Sequence, residues 1–179
     1  MLDAIYKRRS IRKFIDKPVP NDVVRQIITA GTWAPSAGNM QAWEFIVVQD
    51  AEARRKVVDT TSTGTTARGG VHTQEWMLTS PDIIIVCYNV KRMRARYRDR
   101  GEKLAMLDCM GCVQNILLAS MHFGLGSCCV NGFDPQRLKE ALSIPKEITP
   151  LLLVPVGYAA YVPCLPYRLP FEDLVRLVV

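Results

Sequence analysis

The sequence predicts a single α+β domain, residues 1–179, with a central mixed sheet flanked by helices. Two observations lead to this fold class. Short aliphatic and β-branched runs alternate with segments of helical periodicity, which predicts strands and helices within one folded unit. The 179 residues also suit one compact domain, and neither an internal repeat nor a linker divides them. With 49% hydrophobic and 22% charged residues, the chain can bury a core.

The first half of the chain is predicted to combine core-forming elements with polar surface elements. The predicted elements are a helix over 2–9, an extended segment SIRKF (10–14), a helix from an N-cap at Asn21 to Pro35, a strand WEFIVVQ (43–49) and a surface helix AEARRKVVDTT (51–61). In the second of these helices the apolar residues between Val23 and Gly31 share one face. That helix should therefore pack against the core.

The second half is predicted to hold the most deeply buried elements. These are a strand DIIIVCYN (82–89), a long helix over 102–123, a helix with Asp134 as N-cap and Pro135 in its first turn, a strand LLLVPVGY (151–158), and an extended C-terminal arm with Pro163, Pro166 and Pro170. The long helix is apolar around most of its circumference, which a surface helix does not tolerate. We therefore expect it to be buried between two subunits.

Charge and hydropathy narrow the function classes without selecting one. The net charge of +6 suits an anionic ligand but does not by itself indicate nucleic acid binding. Charged residues interrupt the beginning of the chain, as a signal peptide would not allow. We find no apolar run of the roughly 18–20 residues that a membrane span needs. We expect a soluble, cytoplasmic protein with no membrane partner.

The cysteines and histidines form no persuasive metal or catalytic pattern. The six cysteines are Cys87, Cys109, Cys112, Cys128, Cys129 and Cys164. Most lie in apolar segments, where cysteine behaves as a small hydrophobe, so we expect reduced thiols. Cys109 and Cys112 form a CxxC, but the vicinal pair that follows is not a second CxxC, so no metal site is predicted. His72 and His122 build no recognisable triad.

The stretch KRMRARYRDRGEK (91–103) is the best argument for a nucleic-acid-binding module. It holds seven basic residues, but Asp99 and Glu102 dilute the charge and no recognised nucleic-acid fold surrounds it. We expect a mobile, solvated loop near the mouth of the ligand site and no nucleic acid partner. By hypothesis, this loop attracts the phosphates of a nucleotide or an anionic substrate.

Three stretches carry candidate ligand chemistry. RRSIRKF (8–14) offers the guanidinium and hydroxyl groups that a phosphate prefers, with a solvated basic turn as the alternative. APSAGNMQAWEF (34–45) joins a helix to a strand, and its polar and small residues suit either the pyrimidine edge of a flavin or an ordinary polar loop. GLGSCCVNGF (124–133) permits close backbone approach but contains no GxGxxG pattern.

Together with PYRLPFEDLV (166–175), and in this order, these stretches resemble the nitroreductase family of FMN-dependent oxidoreductases. The resemblance extends over essentially the whole chain. It implies an intertwined α+β homodimer with a long interface helix, a C-terminal extended arm and FMN bound at the subunit interface. It also implies ping-pong hydride transfer, in which NADH or NADPH is the electron donor and a nitroaromatic, a quinone or a similar small molecule is the acceptor.

The resemblance further assigns cofactor-binding residues. The phosphate, ribityl chain and pyrimidine edge of FMN would be held by Arg8, Arg9, Ser10 and Arg12, with Arg12 near N1 and O2 of the flavin. The flavin bound mainly by the other subunit would be reached by Pro35, Ser36, Ala37, Asn39 and Gln41. The isoalloxazine would be lined by Cys129, Val130, Asn131 and Gly132, with the N–H near Asn131 pointing at N5. A C-terminal phosphate-binding arginine is matched by Arg168, and no side chain is identified as a catalytic acid or base.

Two departures from the family pattern limit what can be transferred. The usual NxQPW is NMQAW here, with Ala42 in place of proline. The region about 60–100 is compact where longer members build part of a substrate lid, so the substrate pocket is not carried over. Alternatives are a dehalogenase or flavin-fragmenting enzyme of the same fold, and a non-catalytic flavin- or nucleic-acid-binding protein.

Overall fold

The computed structural model describes residues 2–63 and 72–176, which form seven α-helices and four strands. The helices are α1 (Leu2–Lys7), α2 (Asn21–Gly31), α3 (Ala51–Val58), α4 (Val90–Tyr97), α5 (Gly101–His122), α6 (Pro135–Ala141) and α7 (Phe171–Leu174). The strands are β1 (Trp43–Val48), β2 (Asp82–Asn89), β3 (Gly126–Ser127) and β4 (Ile148–Gly157). Part of the region expected to be compact, 64–71, lies outside the described residues.

The four strands form one sheet in the order β1-β2-β4-β3, and each neighbouring pair is antiparallel. The expected mixed sheet is therefore corrected to an antiparallel one. Strands β2 and β3 run in the same direction, but β4 lies between them and is antiparallel to both, so no two neighbouring strands are parallel. The parallel contact between Ser10 and Ser127 is an isolated bridge outside the named strands.

Two hydrophobic clusters cover the two faces of the sheet, because successive side chains of a strand point to opposite sides. Ile84 and Val86 of β2 belong to the cluster that includes residues of α2 and α5. Ile83 and Ile85 belong to the second cluster, beneath α3 and α6. The prediction of a buried central strand at 82–89 is thus confirmed, with identical bounds.

Helix α5 is the central element of the first cluster. Gly31 of α2 packs directly on it, since a Cβ at that position would lie 2.8 Å from Ile116 Cγ1. On its other side α5 exposes Met106, Leu107 and Met110, whose exposed fractions are 42%, 60% and 48%. Helix α5 thus has apolar residues around most of its circumference, as expected from the sequence. The rest of this chain buries only part of that apolar surface.

The same apolar character makes α5 resemble a membrane span by composition. The helical stretch Val90–His122 contains an 18-residue window of mean hydropathy 1.5, of which 39% is buried within the chain. This corrects the expectation that no apolar run reaches span length. Core helices share this composition, and α5 packs on both central strands of the sheet.

Residues 91–103 are not the expected loop. They form α4, a 3₁₀ turn at Arg98–Arg100 and the start of α5. The Asn89 carboxamide oxygen caps α4 by accepting a hydrogen bond from the Arg92 N–H at 3.1 Å. The corner before α5 is tight, because a Cβ on Gly101 would lie 2.9 Å from the Met93 carbonyl carbon.

The C-terminal arm is exposed and lacks helix or strand over 161–170, as expected, before ending in the single turn of α7. Smaller corrections concern element ends, where local caps decide the boundary. The first helix ends at Lys7, α3 ends at Val58 and β4 begins at Ile148. Asn21 is the first residue of α2 rather than its N-cap.

Candidate cofactor-binding site

The N-terminal segment RRSIRKF runs alongside β3. The Ile11 N–H donates to the Ser127 carbonyl oxygen at 3.0 Å, and Ser10 forms its parallel bridge with the same residue. Gly126 permits this approach, because a Cβ there would lie 2.5 Å from Ile11 Cγ1. Two of the three candidate stretches are therefore adjacent.

Three side chains of this segment surround the Cys128 thiol. Burial raises the pKa of Cys128, while the charge of Arg12, a hydrogen bond with Ser10 and the charge of Arg8 oppose the rise. Arg8 acts in the same direction on Cys129, whose pKa burial raises to about 11. Together with the Ser10–Ser127 bridge, these effects bring Arg8, Ser10 and Arg12 near the thiols of the vicinal cysteines.

Arg9 braces the turn that follows α1. Its Nη1 donates to the carbonyl oxygens of Tyr6 at 2.7 Å and Arg8 at 2.8 Å. Its Nε is buried and has no hydrogen-bond partner in the part of the chain that the structure describes. Buried donors normally have partners, so an anionic oxygen would suit this one. The residues present therefore fit a phosphate group.

A cavity of about 260 Å³ lies beside these arginines. Lys7, Arg8 and Arg9 line one side of it, and Leu117 and Met121 of α5 line the other. Cations facing an apolar wall suit a ligand that carries both an anionic group and an apolar body.

The second candidate stretch forms a tight loop between α2 and β1. It contains a 3₁₀ turn, Ala37–Asn39, with positive φ at Gly38 (54°), Asn39 (54°) and Gln41 (47°). The Ser36 Oγ accepts a hydrogen bond from the Gln41 N–H at 3.1 Å, and the Gln41 amide donates to Asn39 Oδ1 at 3.1 Å. The predicted polar side chains thus hold the loop in shape, with Pro35 exposed at its entrance.

Asp108 of α5 fixes this loop from below. Its carboxylate accepts the Ala37 N–H, at 3.0 Å to Oδ2 and 3.2 Å to Oδ1. Burial raises the pKa of Asp108, and the hydrogen bond from Ala37 opposes that rise. Asp108 was not identified from the sequence, because an acidic residue inside an apolar helix gives no indication of its distant partner.

Helix α4 fixes the loop from a second direction. The Arg96 guanidinium donates to the Gly38 carbonyl oxygen at 3.2 Å, and Arg92 donates to the Gln41 carbonyl oxygen. Gly38 is required here, since a Cβ would lie 2.5 Å from the Tyr97 hydroxyl. The basic stretch thus lies against a candidate site, as expected, but holds it as part of a helix rather than as a loop.

The third candidate stretch presents its backbone away from the sheet. The Val130 N–H donates to the Leu153 carbonyl oxygen at 2.9 Å, and the Leu153 N–H donates to the Val130 carbonyl oxygen at 2.8 Å. In an extended chain the neighbouring N–H groups point to the opposite side, so those of Cys129 and Asn131 face away from β4. No hydrogen bond among the described residues uses the Asn131 N–H.

Ser62 and Gln74 hold the end of this segment, and neither was identified from the sequence. The Gly132 carbonyl oxygen accepts from the Ser62 N–H at 2.7 Å and from Gln74 Nε2 at 3.2 Å. A Cβ on Gly132 would collide with the Ser62 carbonyl oxygen. The 129–132 backbone is therefore held in place at both ends.

Two predicted parts of the site are not brought to this place within one chain. The loop at 36–41 contacts α5 at Asp108, whereas the N-terminal arginines lie near Leu117 and Met121. At 1.5 Å per residue, these points are roughly 13–20 Å apart along the helix. Arg168 lies on the exposed arm, where its Nη1 donates to the Tyr167 carbonyl oxygen at 2.9 Å.

The cysteines remain thiols in this structure. Among the described residues no pair is bonded, and no group of three or more His, Cys, Asp or Glu side chains is arranged to hold a metal ion. Burial raises the pKa values of Cys109 and Cys112 to about 12, so both stay protonated at neutral pH.

Comparison with known proteins gives a consistent family assignment. The sequence profile described as "Nitroreductase family" matches residues 5–158. A putative NADH dehydrogenase/NAD(P)H nitroreductase of Archaeoglobus fulgidus is 32% identical, over 88% of this chain and 84% of its own. The FMN reductase [NAD(P)H] of Bacillus subtilis is 27% identical, over 96% of this chain and 71% of its own.

More distant and structural comparisons agree. The iodotyrosine deiodinase of Haliscomenobacter hydrossis is 26% identical, over 86% of this chain and 76% of its own. Among solved structures, a nitroreductase family protein of Streptococcus pneumoniae TIGR4 superposes with a TM-score of 0.82 at 27% identity, covering 99% of both chains. The antiparallel sheet and its helices therefore form a known fold.

Proposed function

Because this chain belongs to the nitroreductase family, we propose that it is an FMN-dependent oxidoreductase that uses NADH or NADPH to reduce a small electron acceptor. When bound, FMN would supply the hydride chemistry at N5 in a ping-pong cycle, with a nitroaromatic, a quinone or a similar molecule as the second substrate. The names of the Archaeoglobus and Bacillus relatives support this activity class. The chain itself binds, orients and electrostatically tunes the cofactor.

The observation that carries the proposal is the pairing of the basic segment with GLGSCCVNGF: the Ile11 N–H donates to the Ser127 carbonyl oxygen and Ser10 bridges to the same residue, which brings the flanking Arg8 and Arg12 near the Cys128 thiol. Arg8, Ser10 and the unpaired Nε of Arg9 would hold the phosphate and ribityl chain, joined by Arg168 of the arm. Arg12 would lie near N1 and O2, where reduction adds negative charge. A fixed cation there stabilises the reduced ring.

The 129–132 backbone would line the isoalloxazine and direct the Asn131 N–H at N5. The bonds of Val130 and Gly132 keep that backbone rigid, so the donor needs little reorganisation to meet a ligand atom. We assign no side chain in this arrangement as a catalytic acid or base. The chain's role at N5 is a positioned hydrogen bond.

We place the complete site in a homodimer. Within one chain, the loop carrying Ala37 meets α5 at Asp108, and none of its residues lines the cavity beside the N-terminal arginines. A second subunit would bring its loop, with Pro35, Ser36, Asn39 and Gln41, to the flavin of the first. The exposed face of α5 and the apolar residues of the C-terminal arm supply the surface such a dimer would bury. A single domain over 1–179 and a cytoplasmic location are part of the same proposal.

The cofactor and the reaction can be tested together. Purified protein should be yellow and release FMN on denaturation, and either NADH or NADPH should bleach the flavin absorbance without oxygen. A colourless protein that cannot take up added FMN would overturn the proposal. Bound colour that neither nucleotide bleaches would favour the non-catalytic flavin-binding alternative.

A reductive dehalogenase is the second candidate, because the iodotyrosine deiodinase relative covers 86% of this chain. The test is anaerobic release of iodide from iodotyrosine by chemically reduced protein. Iodide released faster than nitroaromatic or quinone reduction would favour this candidate. Acceptor reduction without iodide release would favour the first.

A further inference from the structure

The positive charge of the chain is concentrated at the corner between α4 and α5. Residues 91–103 contain seven basic and two acidic residues, a net charge of +5, and the whole chain has a net charge of +6. Three of these basic residues pair with carboxylates: Lys91 with Glu147, Arg92 with Glu44 and Arg94 with Glu102. The other four form no ion pair in the described part of the chain, and we call them the cationic rim: Arg96, Arg98, Arg100 and Lys103.

The cationic rim is fixed against the loop that we propose to reach the flavin. The Arg96 guanidinium binds the Gly38 carbonyl oxygen at 3.2 Å, and Tyr97 packs over the same glycine. The tight contact of Gly101 with the α4 backbone sets the angle of the corner. The rim therefore lies at the edge of the proposed site in a defined position.

The turn that displays the rim is strained. Arg98 has φ 49° and ψ −129°, a conformation that residues with a Cβ rarely adopt. It ends α4 and begins the 3₁₀ turn that carries Arg100, and both side chains are exposed. Neither Arg98 nor Arg100 forms an ion pair among the described residues, so the strain does not serve an ion pair of the fold. Because strained turns are often retained for function, we take the two guanidinium groups as candidate ligand-binding groups.

We propose that the cationic rim is a phosphate-binding subsite for the reduced pyridine nucleotide, an inference that rests on the proposed function. Guanidinium groups bind phosphate oxygens through paired hydrogen bonds. The pyrophosphate of both nucleotides and the 2′-phosphate of NADPH share this chemistry. A nucleic acid is less favoured, because each neutralised phosphate adds to backbone affinity and the rim offers only four cations at one corner.

The test is a holoenzyme in which Arg98, Arg100 and Lys103 are all replaced by glutamine, with Arg96 retained because it holds the loop. We expect the KM for the bound nucleotide to rise about tenfold at low salt, with kcat and FMN content unchanged. The dependence of kcat/KM on salt should become flatter. A rise for NADPH alone identifies the 2′-phosphate as the group bound, and equal rises for NADH and NADPH identify the pyrophosphate.

The control removes three exposed lysines elsewhere, by Lys13→Gln, Lys56→Gln and Lys146→Gln. Equal losses in the control would attribute the effect to net charge and overturn the subsite. Unchanged KM values for NADH and NADPH in the rim variant would also overturn the subsite. The same conclusion holds if the variant loses only the binding of a labelled single-stranded oligonucleotide. If neither NADH nor NADPH reduces the FMN of the wild-type protein, both the proposed function and the subsite are wrong. If the wild-type protein uses the nucleotides and the rim variant has the same KM values, only the subsite is wrong.

Discussion

The Ala37 N–H donates to both carboxylate oxygens of Asp108, 3.0 Å from Oδ2 and 3.2 Å from Oδ1. This contact ties a loop of unusual backbone conformation to the rigid central helix. Three of the four residues 38–41 have a positive φ, which is an unfavourable conformation for most residues. The loop therefore depends on hydrogen bonds such as this one to keep its shape. In the proposed dimer, the Asp108 of one subunit would thereby control the flavin environment of the other.

Asp108→Ala should therefore weaken FMN binding by roughly fivefold, the effect of losing about 1 kcal/mol of hydrogen bonding. Asp108→Asn keeps an acceptor oxygen and should remain within about twofold of the wild type. Fluorescence titration of apoprotein with FMN measures both. Equal affinities in all three proteins would show that the contact stabilises the loop without affecting the site.

The sequence predicted the elements better than it predicted the contacts that shape the site. DIIIVCYN has a strand's length and β-branched composition, so the bounds of β2 could be predicted. Helix α4 was missed because alternating arginines leave Met93 as its one buried side chain, which hides the helical periodicity. The partners of Ala37 and Gly132 lie 71 and 58 residues away, at Asp108 and Gln74, and no local pattern encodes such pairings.

Arg12→Ala tests the proposed electrostatic role of the N-terminal segment. Loss of a charged hydrogen bond should weaken FMN binding by about 1.5–3 kcal/mol. The flavin should also become harder to reduce, with a midpoint potential on the order of 30 mV more negative, because the lost cation stabilises the reduced ring more than the oxidised one. Lys13→Ala is the matched control, since Lys13 is the exposed neighbour on the other side of the extended chain. An unchanged affinity and potential in the Arg12 variant would refute the assignment.

Gly132→Ala tests the rigidity of the 129–132 backbone. The new Cβ would meet the Ser62 carbonyl oxygen, so the segment must move and the protein should lose about 1–3 kcal/mol of stability. The displaced Asn131 N–H should lower the rate of anaerobic flavin reduction by NADH or NADPH. Val48→Ala changes β1, which β2 and β4 separate from this segment, and should lose similar stability without slowing reduction. Matching reduction rates in the two variants would mean that the segment does not position N5.

Asp82 makes the stability of the fold depend on pH in a predictable direction. It is 2% exposed, its Oδ1 accepts from the Gln49 amide at 2.7 Å, and its Oδ2 is buried with no partner among the described residues. Burial raises the pKa of this carboxyl, against the opposing effects of Gln49 and Arg54. The native state therefore binds the proton more tightly than the unfolded state does. The stabilising contribution of Asp82 is fully present below about pH 3.9, the pKa of this group in the unfolded state. The contribution is lost as the pH rises through the higher pKa of the folded state.

Asp82→Asn removes this titration. The free energy of unfolding of the variant should therefore increase relative to that of the wild type as the pH rises. We expect this gain to accumulate from the unfolded pKa of about 3.9 up to the higher folded pKa and to level off above it. Urea denaturation across this range measures it, and the slope matters more than the offset because the new amide brings its own fixed cost of burial. Ser80→Ala, which removes hydrogen bonds to the Asp82 and Val156 carbonyl oxygens, should lower stability by the same amount at every pH. Parallel pH profiles for the wild type and Asp82→Asn would show that the buried carboxyl is not held protonated by the fold.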